Sequence, residues 1–450
     1  MNEYVKPRII FHIDVNSAFL SWSAVRRLKE DPGAVDLRTV PSVVGGDQAT
    51  RHGIVTAKSV PAKKYGIKTA EPVAKAMQKC PGLIVIRSEF DVYRKYSKAF
   101  ISLLHTYTDA VEQVSIDEAF MDVTDILTHN EPISGRPDKN ECKPGQPPED
   151  LTVSCIIQEE AIALADSIRK RVREELGFTV NAGISVNRLL AKMASDFTKP
   201  DRTHTLFPEE IPAKMWPLPV GDLYGCGGKT AGRLVNMGIR TIGDAARTRP
   251  EILQSLLGEK GGLYLWRSAN GKSSDRIVTE RDEAKSCSNE ITTAYDITAE
   301  NYEKEIGRLL DALSSKVASR LQKEGVYANT VAVLVKTSDF RKRSMQSRLP
   351  DPAHDAETIC KMARTLMDRL VLGDGVFSEC PGIRLVGVKA SDLSDGNYHQ
   401  MTFTDFLEEE KKQKAARRAD EAKQREKRLS DMTAGLKKKY GETAIHKGWL

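Results

Sequence analysis

Asp117 and Glu118 stand side by side in Val114-Ser115-Ile116-Asp117-Glu118-Ala119-Phe120-Met121-Asp122-Val123-Thr124, a run otherwise rich in strand formers. Neighbouring side chains of a strand point to opposite faces. An Asp-Glu pair at a strand end or turn can bring both carboxylates to one ion. Hard cations such as Mg²⁺ take carboxylate oxygens together with substrate phosphates. A third acid, Asp14, closes Ile9-Ile10-Phe11-His12-Ile13-Asp14-Val15-Asn16, which reads as a buried strand. If the two runs share a sheet, Asp14 and Asp117 are strand-end acids of the arrangement a two-metal phosphoryl-transfer site needs.

These acids must be positioned by a larger frame. Residues 8–16 read as a strand and 19–29 as the helix after it. Residues 39–84 form a small basic segment punctuated by Pro41, Gly45-Gly46, Pro61, Pro72 and Pro81. Residues 85–124 return to strand, helix and strand. Residues 126–150, rich in Pro, Gly, Asn, Asp and Lys, read as an exposed loop. Residues 152–200 give two helices around the strand 179–184. In the second helix Val186, Leu189, Leu190, Met193, Ala194 and Phe197 form a core face. Arg188, Lys192, Ser195 and Lys199 line another, and Pro200 stops the helix.

Gly228-Lys229-Thr230 is not a phosphate-binding P-loop, because Leu223 stands where that motif needs glycine. The segment reads instead as a helix-hairpin-helix with Gly225-Cys226-Gly227-Gly228 as the hairpin, whose amides can take a DNA phosphate without reading sequence. Thr241 and Asp244 have capping-box spacing. Residues 271–285 are a polar linker. Residues 286–392 follow as strand, helix, strand, strand, helix, strand, with a basic strand, Arg341–Arg348, suited to ride a nucleic-acid backbone or to protect a sheet edge. Residues 405–440 are charge-dense and poor in apolar positions, a solvated helix or a disordered tail.

Asp14-Val15-Asn16-Ser17-Ala18-Phe19, then Ser115-Ile116-Asp117-Glu118-Ala119-Phe120, then Gly183-Ile184-Ser185-Val186-Asn187-Arg188-Leu189-Leu190-Ala191-Lys192-Met193-Ala194-Ser195-Asp196-Phe197-Thr198-Lys199-Pro200 together resemble the Y-family translesion DNA polymerases, the ImpB-MucB-SamB type of repair protein. The resemblance runs in order from about residue 8 to about residue 392. It implies an α+β, multidomain right-hand polymerase with a ferredoxin-like palm (1–18 and 85–206) and small fingers (19–84). A helix-hairpin-helix thumb (207–270), the linker (271–285), a βαββαβ little finger (286–392) and a charged tail (393–450) would follow.

The implied reaction is template-directed transfer of a nucleotide to a primer 3′-hydroxyl with two Mg²⁺ ions. Asp14 and Asp117 would bridge the ions, Glu118 would complete the first site, and the Val15 carbonyl would be a further ligand. Ser17 and Ala18 would offer amides to the triphosphate. Phe19 would be the steric gate under the sugar, with Trp22 the other aromatic of that turn. Ile54 and Thr56 would roof the nascent base pair, and Lys199 would meet the incoming triphosphate. Asn16 replaces a frequent Asp that is not a ligand. The fingers depart from the family: Val60 stands for a phosphate-contacting Tyr and Lys63 for an Arg, keeping charge but losing the bidentate fork. Lys58 could carry that grip instead. The resemblance also implies DNA contacts at Gly225, Gly227, Lys229, Lys336, Arg341, Arg343 and Arg348. Gln400, Met401 and Phe403 weakly resemble the peptide that docks on a bacterial sliding clamp.

Composition agrees with such a protein. The chain has 450 residues, 40% hydrophobic and 29% charged, and a net charge of +6 that permits a polyanion partner. No apolar run reaches the roughly 18–20 residues of a membrane span. The N-terminus lacks a secretory layout, and the seven scattered cysteines include no Cys-x-x-Cys pair. A cytoplasmic, monomeric enzyme is expected, with primer–template DNA, dNTP and the clamp as partners. The competing classes are a catalytically impaired DNA- or clamp-binding scaffold and a nucleotidyl cyclase, against which the hairpin and the basic C-terminal sheet argue.

Overall fold

The structure is a computed structural model that describes residues 8–46, 53–129, 150–280 and 283–395, with isolated positions of the tail. The chain parts into two compact units, 1–283 and 284–450, within the polar stretch 271–285. The first unit opens with β1 (Ile10–Val15), α1 (Ala18–Glu30), β2 (Ser42–Gly45), β3 (Val55–Lys58), α2 (Val60–Lys64), α3 (Val73–Lys79) and β4 (Ile84–Ile86). It continues through α4 (Phe90–His105), β5 (Val111–Gln113), β6 (Glu118–Asp122), α5 (Thr124–His129), α6 (Asp150–Arg171), β7 (Val180–Ser185), α7 (Arg188–Asp196) and β8 (Thr203–Thr205). It closes with α8 (Gly228–Asn236), α9 (Ile242–Arg247), α10 (Pro250–Leu257) and α11 (Glu259–Ala269).

Five strands form one sheet in the order β5-β6-β1-β7-β8, with β1 central. Every residue of β1 and of β7 is buried, the polar His12, Asn181 and Ser185 included. Helices cover the sheet. Trp22 of α1 and Tyr93 of α4 are fully enclosed in this core, and the Tyr93 hydroxyl lies 3.1 Å from the Ser23 hydroxyl, so its polar end is satisfied. On the other side α7 lies directly on β7. Gly183 permits this: a Cβ there would collide with the backbone of Ala191 and Ser195.

The basic segment after α1 builds its own small sheet, β3-β2-β4, over a separate apolar cluster that includes Val43, Ile67 and Val73. The expected loop at 126–150 is corrected at both described ends. α5 runs through His129 and α6 begins at Asp150; residues 130–149 lie outside the described residues. α7 stops at Asp196, four residues before Pro200, so the proline does not end it and Lys199 sits in the loop beyond. Of the hairpin region, the first limb is a single 3-10 turn, Val220–Asp222, and α8 is the second. Thr241 and Asp244 form the reciprocal cap of α9, an arrangement worth about 1 kcal/mol.

The second unit runs β9 (Ser286–Ile297), α12 (Tyr302–Glu324), β10 (Tyr327–Thr337), β11 (Lys342–Ala353), α13 (Ala356–Val371), α14 (Val376–Glu379) and β12 (Ile383–Ser394). Its sheet order is β11-β10-β12-β9. Val331, Val333 and Val335 of β10 and Val386 and Val388 of β12 point into a core shared with α12 and α13. Among the described residues of this unit no helix covers the opposite face of the sheet: its residues alternate with the core positions and stay partly exposed.

Candidate active site

Asp14 lies directly across from Glu118 in the antiparallel pairing of β1 with β6. Asp117 is in the turn just before β6, and its carbonyl accepts from the Val15 amide at 3.0 Å. The turn is what brings two adjacent acids to the same end of the sheet. Ser115 helps hold it: its hydroxyl donates to Asp117 Oδ1 at 2.6 Å. Burial raises the Asp117 pKa, against the Ser115 hydrogen bond, and the nearby Asp14 and Glu118 charges push the same way as burial. Among the described residues Asp117 has no cationic partner.

The other two acids do. Lys199 pairs with Asp14, and with Asp196 at 2.8 Å. Lys192 pairs with Glu118 at 2.7 Å. The basic stripe of α7 is therefore not a solvated face: Arg188 pairs with Glu112 at 2.5 Å, and Ser195 is buried against His12 at 2.8 Å. His12 and then Lys192 hold Glu118 down to about 2. The lysine is the firmer partner, because His12 Nε2 lies 3.3 Å away without hydrogen-bond geometry. Burial makes His12 neutral by lowering its pKa, despite Glu118. Burial also works to lower Lys199, but Asp14 and Asp196 more than offset it and its pKa is raised.

Among the described residues no ready-made cage of three His, Cys, Asp or Glu side chains exists. The donor chemistry nevertheless suits a hard divalent cation. Three carboxylates converge, two attract ammonium groups, and the third is held off its ordinary acidity by burial and its neighbours' charge.

Beside the acids is a cavity of about 270 Å³ lined by Ser17, Arg38, Ser59, Val60, Lys63 and Lys199, among others. The N-terminus of α1 opens there. Ser17 is left-handed (φ 49°, ψ 50°) and caps nothing with its side chain, so the first-turn amides from Ala18 onward have no capping side chain. A helix start with uncapped amides, three cations and several hydroxyls has the chemistry to take an anion. Arg38 is the member that sequence reasoning missed; a lone arginine in a loop carries no signal. Its guanidinium forks onto Asp36 and donates to the Gly177 carbonyl at 2.7 Å.

Several expected residues are not among those lining the cavity. Lys58 does not face the cavity: its ammonium donates to the Ile67 carbonyl at 2.8 Å, and burial, then Lys63, lowers its pKa. The Thr56 hydroxyl turns back to the Val44 carbonyl at 3.1 Å, while Ile54 is half exposed. Phe19 stacks on Tyr93 with ring centres 4.6 Å apart. Trp22 is fully buried behind it and cannot meet a sugar.

In the hairpin, Gly225 is left-handed (φ 86°) and packs against the Tyr264 ring, whereas Gly227 and Gly228 face open space. Gly227 is the N-cap of α8 without a side-chain cap, and Lys229 is in its first turn. In the second unit, Lys336, Lys342 and Arg348 share the open face of the sheet with Lys389, as their pairings show. Arg343 does not. It alternates to the helix side, beside Met345 of the core, and pairs with Glu379 at 2.8 Å. Arg341 precedes β11 and pairs with Asp339 at 3.0 Å. Gln400, Met401 and Phe403 lie outside the described residues.

Residues 13–196 match the impB/mucB/samB family, residues 284–403 its C-terminal domain, and residues 208–239 the HHH motif of the same family. The chain is 38% identical to DNA polymerase IV of Clostridium acetobutylicum over 446 residues, covering 98% of each. It is 34% identical to DNA polymerase IV 1 of Bacillus subtilis, covering 98% of this chain and 93% of that one. Among solved structures, a Y-family DNA polymerase chimera superposes with a TM-score of 0.68 at 24% identity, covering 85% of this chain and 98% of the other, a likeness of fold.

Proposed function

The chain belongs to the impB/mucB/samB family, and on that premise we propose how its own residues carry out DNA synthesis. The protein is a template-directed DNA polymerase of the Y-family, translesion type, acting on primer–template DNA and dNTP. The single observation that carries the assignment of its site is the convergence of Asp14, Asp117 and Glu118 beside a cation-lined cavity at the start of α1.

The primer 3′-oxygen attacks the α-phosphorus of the dNTP, the bond to the β-phosphate oxygen breaks, and pyrophosphate leaves. Asp14, Asp117 and Glu118, with the Val15 carbonyl, would hold divalent cations, read here as two Mg²⁺, which make the hydroxyl acidic and neutralise charge on the leaving group. Lys199, Lys63 and Arg38, with the first amides of α1, hold the triphosphate in the cavity. Arg38 has its fork on Asp36, so it adds positive charge to the cavity rather than the bidentate grip that Lys63 lacks. Phe19 lies at the first turn of α1, where its ring would bar a 2′-hydroxyl. Gly227, Gly228 and Lys229 hold a phosphate of the duplex. Lys336, Lys342, Arg348 and Lys389 meet the backbone from the open sheet face.

The clamp peptide at 400–403, a monomeric state and a cytoplasmic site complete the reading. No helix of the described residues is long and apolar enough to cross a membrane. Primer extension with Mg²⁺ tests the assignment. Asp14→Ala, Asp117→Ala and Glu118→Ala should each abolish extension while the fold survives, a loss beyond the roughly 10²–10³ of a single electrostatic donor. Extension by Asp117→Ala at more than about a tenth of the parent rate would sink it.

A further inference from the structure

Lys199 reaches Asp14 from a loop, so that loop must be held. Two buried asparagines hold it. Asn16 Nδ2 donates to Asn181 Oδ1 at 3.1 Å, and Asn16 Oδ1 accepts from the Asp201 amide at 2.9 Å. Asn181 Nδ2 donates to the carbonyls of Ser195 at 3.0 Å and Thr198 at 2.7 Å. Asn181 Oδ1 also accepts from the Arg202 amide at 3.2 Å. The pair thus fastens main chain on both sides of Lys199. Asn16 is 7% exposed and Asn181 0%.

Only a carboxamide offers a donor and an acceptor in one plane, and both ends of both amides are used. Solvent cannot replace these bonds in a buried site, so losing one leaves a polar group unpaired. The outer side of the same loop is tied independently: the Asp201 carboxylate takes Arg169 at 2.9 Å and Arg173 at 2.8 Å. The Arg173 pair is exposed and weak in water, while the Arg169 pair is partly buried but grips the loop only from outside. The amide pair is the firmer constraint on where the lysine points.

We infer that Asn16 and Asn181 form a positioning latch that sets the reach of Lys199 over the triphosphate cavity. Asn181 is fully enclosed; Asn16 borders the cavity, but both ends of its carboxamide are spent on Asn181 and the Asp201 amide, so both asparagines act through the loop. The inference rests on reading that cavity as the triphosphate site. It also gives Asn16 a task that the acid commonly found at this place in the family could not perform in the same way, because a carboxylate has no hydrogen to give Asn181 Oδ1.

Single-nucleotide insertion on a primer–template, with KM for the dNTP and kcat measured separately, tests the latch. Asn16→Ala and Asn181→Ala should each raise KM about tenfold with a smaller change in kcat, as a misplacement of the lysine would. Asn16→Asp, which keeps the acceptor for the Asp201 amide, should fall between Asn16→Ala and the parent, and it carries the same comparison if the alanine variant does not fold. In a Lys199→Ala background the asparagine change should add nothing to KM. Additive losses, or a parent-like KM for Asn16→Ala beside a weakened Lys199→Ala, overturn the latch alone. A parent-like KM for Lys199→Ala overturns the triphosphate reading itself, and the latch with it.

Discussion

Asp117 and Glu118 are adjacent in the chain and opposite in their electrostatics. Burial raises Asp117, so above its folded pKa the ionised carboxyl disfavours the folded state. A carboxamide in its place keeps the acceptor for Ser115 and carries no charge. In chelator at neutral pH, Asp117→Asn should therefore raise the melting temperature while ending catalysis. Glu118 is depressed to about 2 from 4.5, so its contribution is present above about pH 4.5 and is lost as pH falls through the folded value. Glu118→Gln should lower the melting temperature at pH 7, by an amount that shrinks toward pH 2. Thermal melts of both variants check this, and shifts of the same sign would contradict it. At this scale the acids stand out in the sequence as charges set into apolar runs, whereas Lys199 is singled out only by the family resemblance. Arg38, Asn181 and the Lys192–Glu118 pair were not legible, since partners far apart in sequence are joined only by the fold.

Strand alternation decides which cations of β11 can touch a polyanion. Lys342 and Arg348 point to the open face; Arg343 points to the helices. The exposed Arg343–Glu379 pair contributes less than about 1 kcal/mol, so it is the direction of the side chain, not the ion pair, that removes Arg343 from the face. Each of Lys342→Ala, Arg348→Ala and Lys389→Ala should make the slope of log K against log[salt] shallower by about 0.9, whereas Arg343→Ala should leave it nearly unchanged. DNA titrations at several salt concentrations measure this, and equal effects for all four would mean that the face has been drawn wrongly. The basic run was visible in sequence as a run, and its two faces follow from a period of two. The register that joins Lys389 to it is set by β12, some forty residues on. The end of α7 was misplaced because Pro200 is a conspicuous stop, while the chain had already left the helix at Asp196 to present Lys199.

Over the whole molecule, the second unit has a hydrophobic core of its own, centred on Ile306, Val333 and Met367, and the first holds several, among them one centred on Phe11, Trp22 and Phe178 and one on Leu190, Leu234 and Leu265. Separate cores make separate cooperative units. Calorimetry of the full chain should resolve at least two unfolding transitions, and residues 284–450 alone should keep one of them unchanged; a single transition, lost when the chain is cut at 283, would refute independence. The sequence reading divides the chain more finely, into palm, fingers, thumb and little finger, and the boundary between the two units falls in the polar stretch 271–285 that it places before the last of these. The small sheet β3-β2-β4 was less legible, because three short strands broken by glycine and proline look like a loop segment until β4 is placed parallel to β2.

Gly183 sets a hidden condition on all of this. Helix α7 rests on β7 at a distance that no side chain at this position would allow. The gene can therefore lose its polymerase by the smallest of substitutions, a methyl group, at a residue that is buried and bears no functional group. Alanine scanning, which passes over glycine or treats alanine as harmless, would not reveal it. Such an allele would encode every acid, lysine and amide of the site intact, yet hold the cations of α7 out of register with the acids of β1 and β6.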